Sequence, residues 1–222
     1  MIRYILILIL TAGLAHSVQA GPWLREKGST FTANSVTGTY YLDTTSQTFI
    51  EYGLSAKTTL IADIGMVRPR FGPYAGYATL SMRRALSSPE ARSKWAYEFG
   101  VGVGWVGAET LPHLRTALSW GRGITLGEKT GWMTAEAAVV WDLTYALHVT
   151  KLDATVGLNF TEKTSGMLQV YAANLADTSI ATIAPSLVFS PIYTKFRVQL
   201  GTETVLGQVA NSALKISLWR EF

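Results

Sequence analysis

From Lys94 to Trp105 the chain reads KWAYEFGVGVGW, and its two parities separate completely. Trp95, Tyr97, Phe99, Val101, Val103 and Trp105 fall on one, while Lys94, Ala96, Glu98, Gly100, Gly102 and Gly104 fall on the other. Successive side chains of a strand point to opposite faces, so the stretch predicts a strand with one apolar, aromatic face and one small or charged face. The same rule, more or less sharply, reads through twelve segments: 28–41, 46–55, 57–68, 74–86, 92–106, 112–124, 131–144, 147–161, 165–175, 179–190, 193–205 and 211–222. A tilted spanning strand needs about 9–11 residues, and each segment is long enough. The first, STFTANSVTGTYY, is the most blurred, because threonine and serine occupy both faces.

The connectors carry turn chemistry: SSPE at 87–90, LGEK at 126–129, EKTSG at 162–166 and RPRFGP at 68–73 combine Gly, Pro and Ser with charge. Gly207 to Ser212 is a weaker example. No helical periodicity of comparable length interrupts the series.

Local alternation fits either a two-layer sandwich core or a wall against lipid. Charge placement separates them. When the more apolar parity of each segment is placed outside, the inner parity holds Glu51, Asp63, Arg83, Lys94, Glu98, Arg115, Glu136, Asp142, Lys151, Asp153, Lys195, Arg197, Glu203, Lys215 and Glu221. No charge falls in the middle of an apolar face; Arg84, Arg122 and Arg220 share that parity only near segment ends, where long side chains reach the interface. A lysine or arginine at the bilayer midplane costs roughly 2–4 kcal/mol, so a lipid-facing wall predicts this gap. Aromatic residues gather near the edges of the same face: Tyr52, Trp95, Trp105, Trp120, Trp141, Phe160, Phe189, Phe196 and Phe222. Rings at headgroup level form such girdles. A sandwich would instead show Ala96, Gly100, Gly102 and Gly104 to water, a poor soluble exterior.

Composition agrees. Only 15% of the 222 residues are charged, against roughly 25% in soluble domains. Mean hydropathy is +0.20, yet beyond residue 20 no apolar run approaches the roughly 18 residues of a spanning helix. Residues 1–20 read as a cleaved signal peptide: Arg3 is its basic start, Tyr4 to Leu14 its apolar core, and Val18-Gln19-Ala20 its small-residue site. Residues 21–27 make a polar lead-in with one tryptophan, and the twelve alternating segments fill 28–222. Cysteine is absent, which excludes disulfides, thiolate metal sites and cysteine nucleophiles. The net charge of +4 is scattered rather than clustered, so it does not point to nucleic acid.

Leu214, Ile216 and Leu218 alternate toward a terminal Phe222. This ending resembles the C-terminal signature of bacterial outer-membrane β-barrels, with Arg220 and the inner-parity Trp219 as departures. More loosely, the lead-in GPWLREKG and the twelve short-looped segments are similar to uncharacterised transporter barrels of Gram-negative bacteria. The resemblance implies an all-β, antiparallel transmembrane barrel of twelve strands with both termini periplasmic. It also implies outer-membrane lipid and the barrel-assembly machinery as partners. The connectors 42–45, 68–73, 107–111, 144–147, 176–178 and 206–211 would then be external, all too short to fold inside; only the lead-in with Trp23 is placed to obstruct a mouth.

Twelve strands enclose more space than the side-chain-filled interior of eight and less than the channel of sixteen. Its charges suit either a structural ladder of ion pairs or a lined path for a small polar solute. A hairpin register centred between Ala146 and Leu147 puts Asp142 opposite Lys151. Lys195, Arg197 and Lys215 form the densest basic group and favour anions unless Glu203 and Glu221 neutralise them. The expected function is therefore a porin-like channel or transporter, against a non-conducting structural barrel. Enzymatic chemistry finds little support. His148 and Thr150 share an outward face, an arrangement that resembles outer-membrane phospholipase, but the family's nucleophilic serine is missing and no third member is evident. His113 and His148 alone make no metal site. No cofactor is expected: GVGVG at 100–104 is strand alternation without a following helix.

Overall fold

In the computed structural model, residues 21–176, 178–191 and 195–222 are described. The signal-peptide reading of 1–20 lies outside them. Alternation does what it predicts, and twelve strands form in the expected order: β1 (Thr30–Thr39), β2 (Thr44–Ser55), β3 (Thr58–Arg68), β4 (Ala75–Ala85), β5 (Ser93–Val106), β6 (Glu109–Leu126), β7 (Lys129–Asp142), β8 (His148–Asn159), β9 (Thr164–Leu175), β10 (Thr178–Phe189), β11 (Phe196–Val205) and β12 (Ala213–Glu221). Every neighbour pair is antiparallel, and β1 closes on β12, so no sheet edge is left. The blurred first strand owes its place to this closure: Phe31 registers with both Glu51 and Glu221.

The even-numbered members of the Trp95–Trp105 stretch face inward. Ala96 and Glu98 are buried, whereas Trp95, Phe99 and Val101 are exposed. Across the barrel the same split leaves Leu80, Leu118, Leu152, Leu200 and Ile216 on the outside. An apolar exterior around a polar interior inverts a soluble protein and matches a hydrocarbon surround.

Some connectors depart from the sequence reading, and Leu126 and Lys129 of the expected 126–129 turn belong to β6 and β7. β6 begins at Glu109 and runs 18 residues, so the 107–111 connector shrinks to the turn at Gly107, whose φ is +59°. The β7–β8 register also differs: Ala138 lies opposite Lys151, and Glu136 opposite Asp153. Asp142 does not face Lys151. Its carboxylate instead accepts the backbone N–H groups of Thr144 (3.2 Å) and Tyr145 (2.7 Å), while its own N–H donates to the Leu147 carbonyl at 2.9 Å. With Ala146 at φ +55°, this caps a longer turn than a centred hairpin requires.

Candidate functional site

The interior is the candidate site. In its middle, inward side chains from β2, β4, β5, β6 and β7 form one chain of alternating charge. Arg83 donates from Nη1 to Glu51 (2.7 Å) and from Nη2 to Glu98 (3.1 Å). Arg115 donates from Nε to Glu98 at 3.0 Å and from Nη2 to Glu136. Arg83 Nη2 also lies 4.0 Å from Glu136, three strands away, so this group leaves the wall and projects into the lumen. Glu51 is 0% and Arg83 1% exposed. Beside them Asp63 accepts from Gln47 (2.8 Å) and the Tyr77 hydroxyl (3.1 Å). Charges taken this far from water need partners of opposite sign, and Glu51, Arg83, Glu98, Arg115 and Glu136 have them.

The wall from β9 to β12 is mostly neutral among the described residues. Gln169 donates to Thr155 at 3.4 Å and Gln199 to Ser186 at 3.0 Å; one ion pair, Lys215 to Glu203 at 2.9 Å, joins β11 to β12. Toward the end bearing both termini, Phe31, Phe49, Ile61, Met167, Val188 and Trp219 form an inward apolar cluster. Toward the opposite end Val67, Val106, Leu111, Val149 and Leu175 form another. Between them Gln47 Oε1, Arg83 Nε and Gln199 Oε1 are buried with no hydrogen-bond partner among the described residues.

The lead-in enters the terminal mouth. Gly21 and Pro22 are buried, and Trp23 packs over Gly121, where a Cβ would come within 2.7 Å of its ring. Arg25 anchors the segment: Nε donates to Glu51 at 2.7 Å, Nη1 to Glu221 at 3.1 Å, and the guanidinium sits 4.3 Å over the Phe31 ring. Its backbone N–H donates to Thr59 Oγ1 at 2.9 Å. Gly53 is required here, since a Cβ at that position would collide with the Glu26 carbonyl. Between the lead-in and the far wall remains a cavity of about 380 Å³, lined by residues that include Trp23, Trp132, Arg197 and Trp219.

The remaining sequence-predicted residues fall into distinct places. Lys94 faces inward at the terminal rim, where its ammonium donates to the carbonyls of Ser88 (3.2 Å) and Pro89. Lys151 and Asp153 are half-buried on the inner face of β8. Lys195 is exposed and precedes β11, so it lines no strand; Glu221 ends β12 at the rim, tied to Arg25. The basic group expected from Lys195, Arg197 and Lys215 is therefore dispersed. Among the aromatics, Tyr52, Trp95, Trp120, Phe160, Phe189, Phe196 and Phe222 lie toward the terminal end, and Trp105 and Trp141 toward the other. His148 is exposed beside Trp141, with ring centroids 5.7 Å apart. Sequence reasoning missed Gln47, Tyr77 and Arg25 as interior residues. Inner parity marks the first two, but neither carries a formal charge, and nothing periodic marks Arg25.

A closed antiparallel barrel of twelve strands, apolar outside and charged within, is the fold of outer-membrane β-barrels. Solved structures agree. The KdgM porin superposes with a TM-score of 0.61 at 7% identity, covering 87% of this chain and 99% of its own. LpxR from Salmonella typhimurium follows at 0.56 and 9%, covering 86% and 99%. An outer membrane channel from Pseudomonas putida F1 gives 0.52 at 12%, covering 93% and 100%. At these identities the likeness establishes the fold. No family model matches the sequence, and no curated protein matches it.

Proposed function

We propose that this chain is a porin-like channel of the bacterial outer membrane that passes a small polar solute through its charge-lined lumen. The observation that carries the reading is a closed barrel whose inner face is lined by charged and polar side chains, Glu51, Asp63, Arg83, Glu98, Arg115 and Glu136 among them, while its outer face is apolar. That two structures of the same fold are a porin and an outer membrane channel supports it. The path is narrow: the Arg83–Glu136 approach projects into it, and the lead-in occupies the mouth on what we take as the periplasmic side. Planar-bilayer recording of the refolded protein is the test. Small discrete conductance steps are expected, growing when residues 21–27 are deleted. A barrel silent in both forms overturns the proposal.

A second reading, a non-conducting structural barrel, is favoured by the near-complete burial of Glu51, Arg83 and Glu98. The silent outcome selects it. We assign no catalytic role: His148 and Thr150 have no orienting acid among the described hydrogen bonds, and lipid turnover is expected to be unchanged in His148→Ala. In this proposal the partners are outer-membrane lipid on the apolar face and the assembly machinery at β12 and Phe222.

A further inference from the structure

We propose that the cavity at the terminal mouth binds a small organic monoanion, a single carboxylate carried on a flat ring. Its volume of about 380 Å³ lies within the range of roughly 300–1,000 Å³ typical of small-molecule sites. Trp23 of the lead-in, Trp132 of β7 and Trp219 of β12 all line it. Indoles of this kind offer large, rigid surfaces suited to another planar group.

The polar inventory selects the class. Most polar groups around the cavity are already engaged. Arg25 is held by Glu51 and Glu221. Asn159 donates to Thr130 at 3.1 Å and accepts from the Ser165 hydroxyl at 2.8 Å. The Trp219 indole N–H donates to Ser217 at 2.9 Å. Arg197 is different. It registers opposite Trp219, is exposed, and makes no ion pair among the described residues. A polyhydroxylated sugar asks for many unclaimed donors and acceptors; among the described residues this site offers the Arg197 fork and the buried indole N–H of Trp132, beside aromatic walls. A guanidinium fork matches a carboxylate through two parallel hydrogen bonds. The complementary molecule is thus amphipathic, with one anionic end and one ring. That this anion is also the transported solute rests on the channel reading; that it binds does not.

Isothermal titration of the refolded full barrel in detergent tests the inference, with protein-free micelles as the blank. The probes are 2-naphthoate, its neutral counterpart 2-naphthamide, and glucuronate. Saturable heat is expected for 2-naphthoate above the blank, with affinity falling about tenfold for 2-naphthamide and in Arg197→Gln, the loss of one charge-assisted contact. Arg197→Lys should recover part of it. Arg197 is exposed, so these variants leave folding intact, and Trp23→Ala weakens binding through a residue outside every strand. Three results overturn the inference: no heat above the micelle blank, equal affinity in Arg197→Gln, or glucuronate binding as tightly as 2-naphthoate. Binding without bilayer conductance sinks only the channel reading, and conductance without binding sinks only this one.

Discussion

At the scale of single residues, the inner and outer faces of the same strand obey opposite rules, and β4 shows both. Arg83 points inward and serves Glu51, Glu98 and Glu136 at once. Arg83→Met would leave those carboxylates short of a counter-charge in a site shielded from water. Breaking a buried ion pair by removing one partner costs about 3–5 kcal/mol, so the variant should unfold at clearly lower urea with a similar slope. Leu80, three residues earlier and near the middle of β4, points to hydrocarbon. Leu80→Arg should cost about 2–4 kcal/mol in the same assay performed from lipid vesicles. An arginine is thus needed at one position and costly at the other, and parity alone decides which. That much was legible in the sequence. The partners were not: alternation gives a residue's face, but its height and reach depend on strand tilt, which brings Arg83 to a glutamate three strands away.

At the scale of elements, all twelve strands could be read from alternation, and the connectors less well. The β7–β8 hairpin was misread because a turn's length is set by φ at Ala146 and by the carboxylate of Asp142 capping two N–H groups. Neither leaves a periodic trace. The lead-in is a stronger case. It has no alternation, and its position is fixed by ion pairs to Glu51 and Glu221 and by a missing side chain at Gly53. Gly53→Ala tests this directly. β2 tolerates alanine locally, but the new methyl group meets the Glu26 carbonyl, so the lead-in must shift. Larger single-channel conductance than wild type is expected, with unchanged far-UV circular dichroism. Unchanged conductance would show that the lead-in does not limit passage.

For the whole molecule, the ion pairs are unevenly distributed around the wall. They tie β2, β4, β5, β6 and β7 into one unit, while the pairs described on β9 to β12 are Lys215 with Glu203 and, at the rim, Glu221 with Arg25, and amides and hydroxyls fill much of the rest. Opening free energies differ within one fold, and the sparsely tied part opens first. Amide hydrogen exchange in lipid nanodiscs should therefore be slower across β2–β7 than across β9–β11. Equal protection all round would mean that the backbone ladder alone sets rigidity. If the asymmetry holds, the cylinder is half brace and half bellows. A solute pressing through would be accommodated by flexing of the amide-lined side, and since Arg197 and Trp219 stand on that side, a molecule lodged there would be felt first by the strands most able to yield.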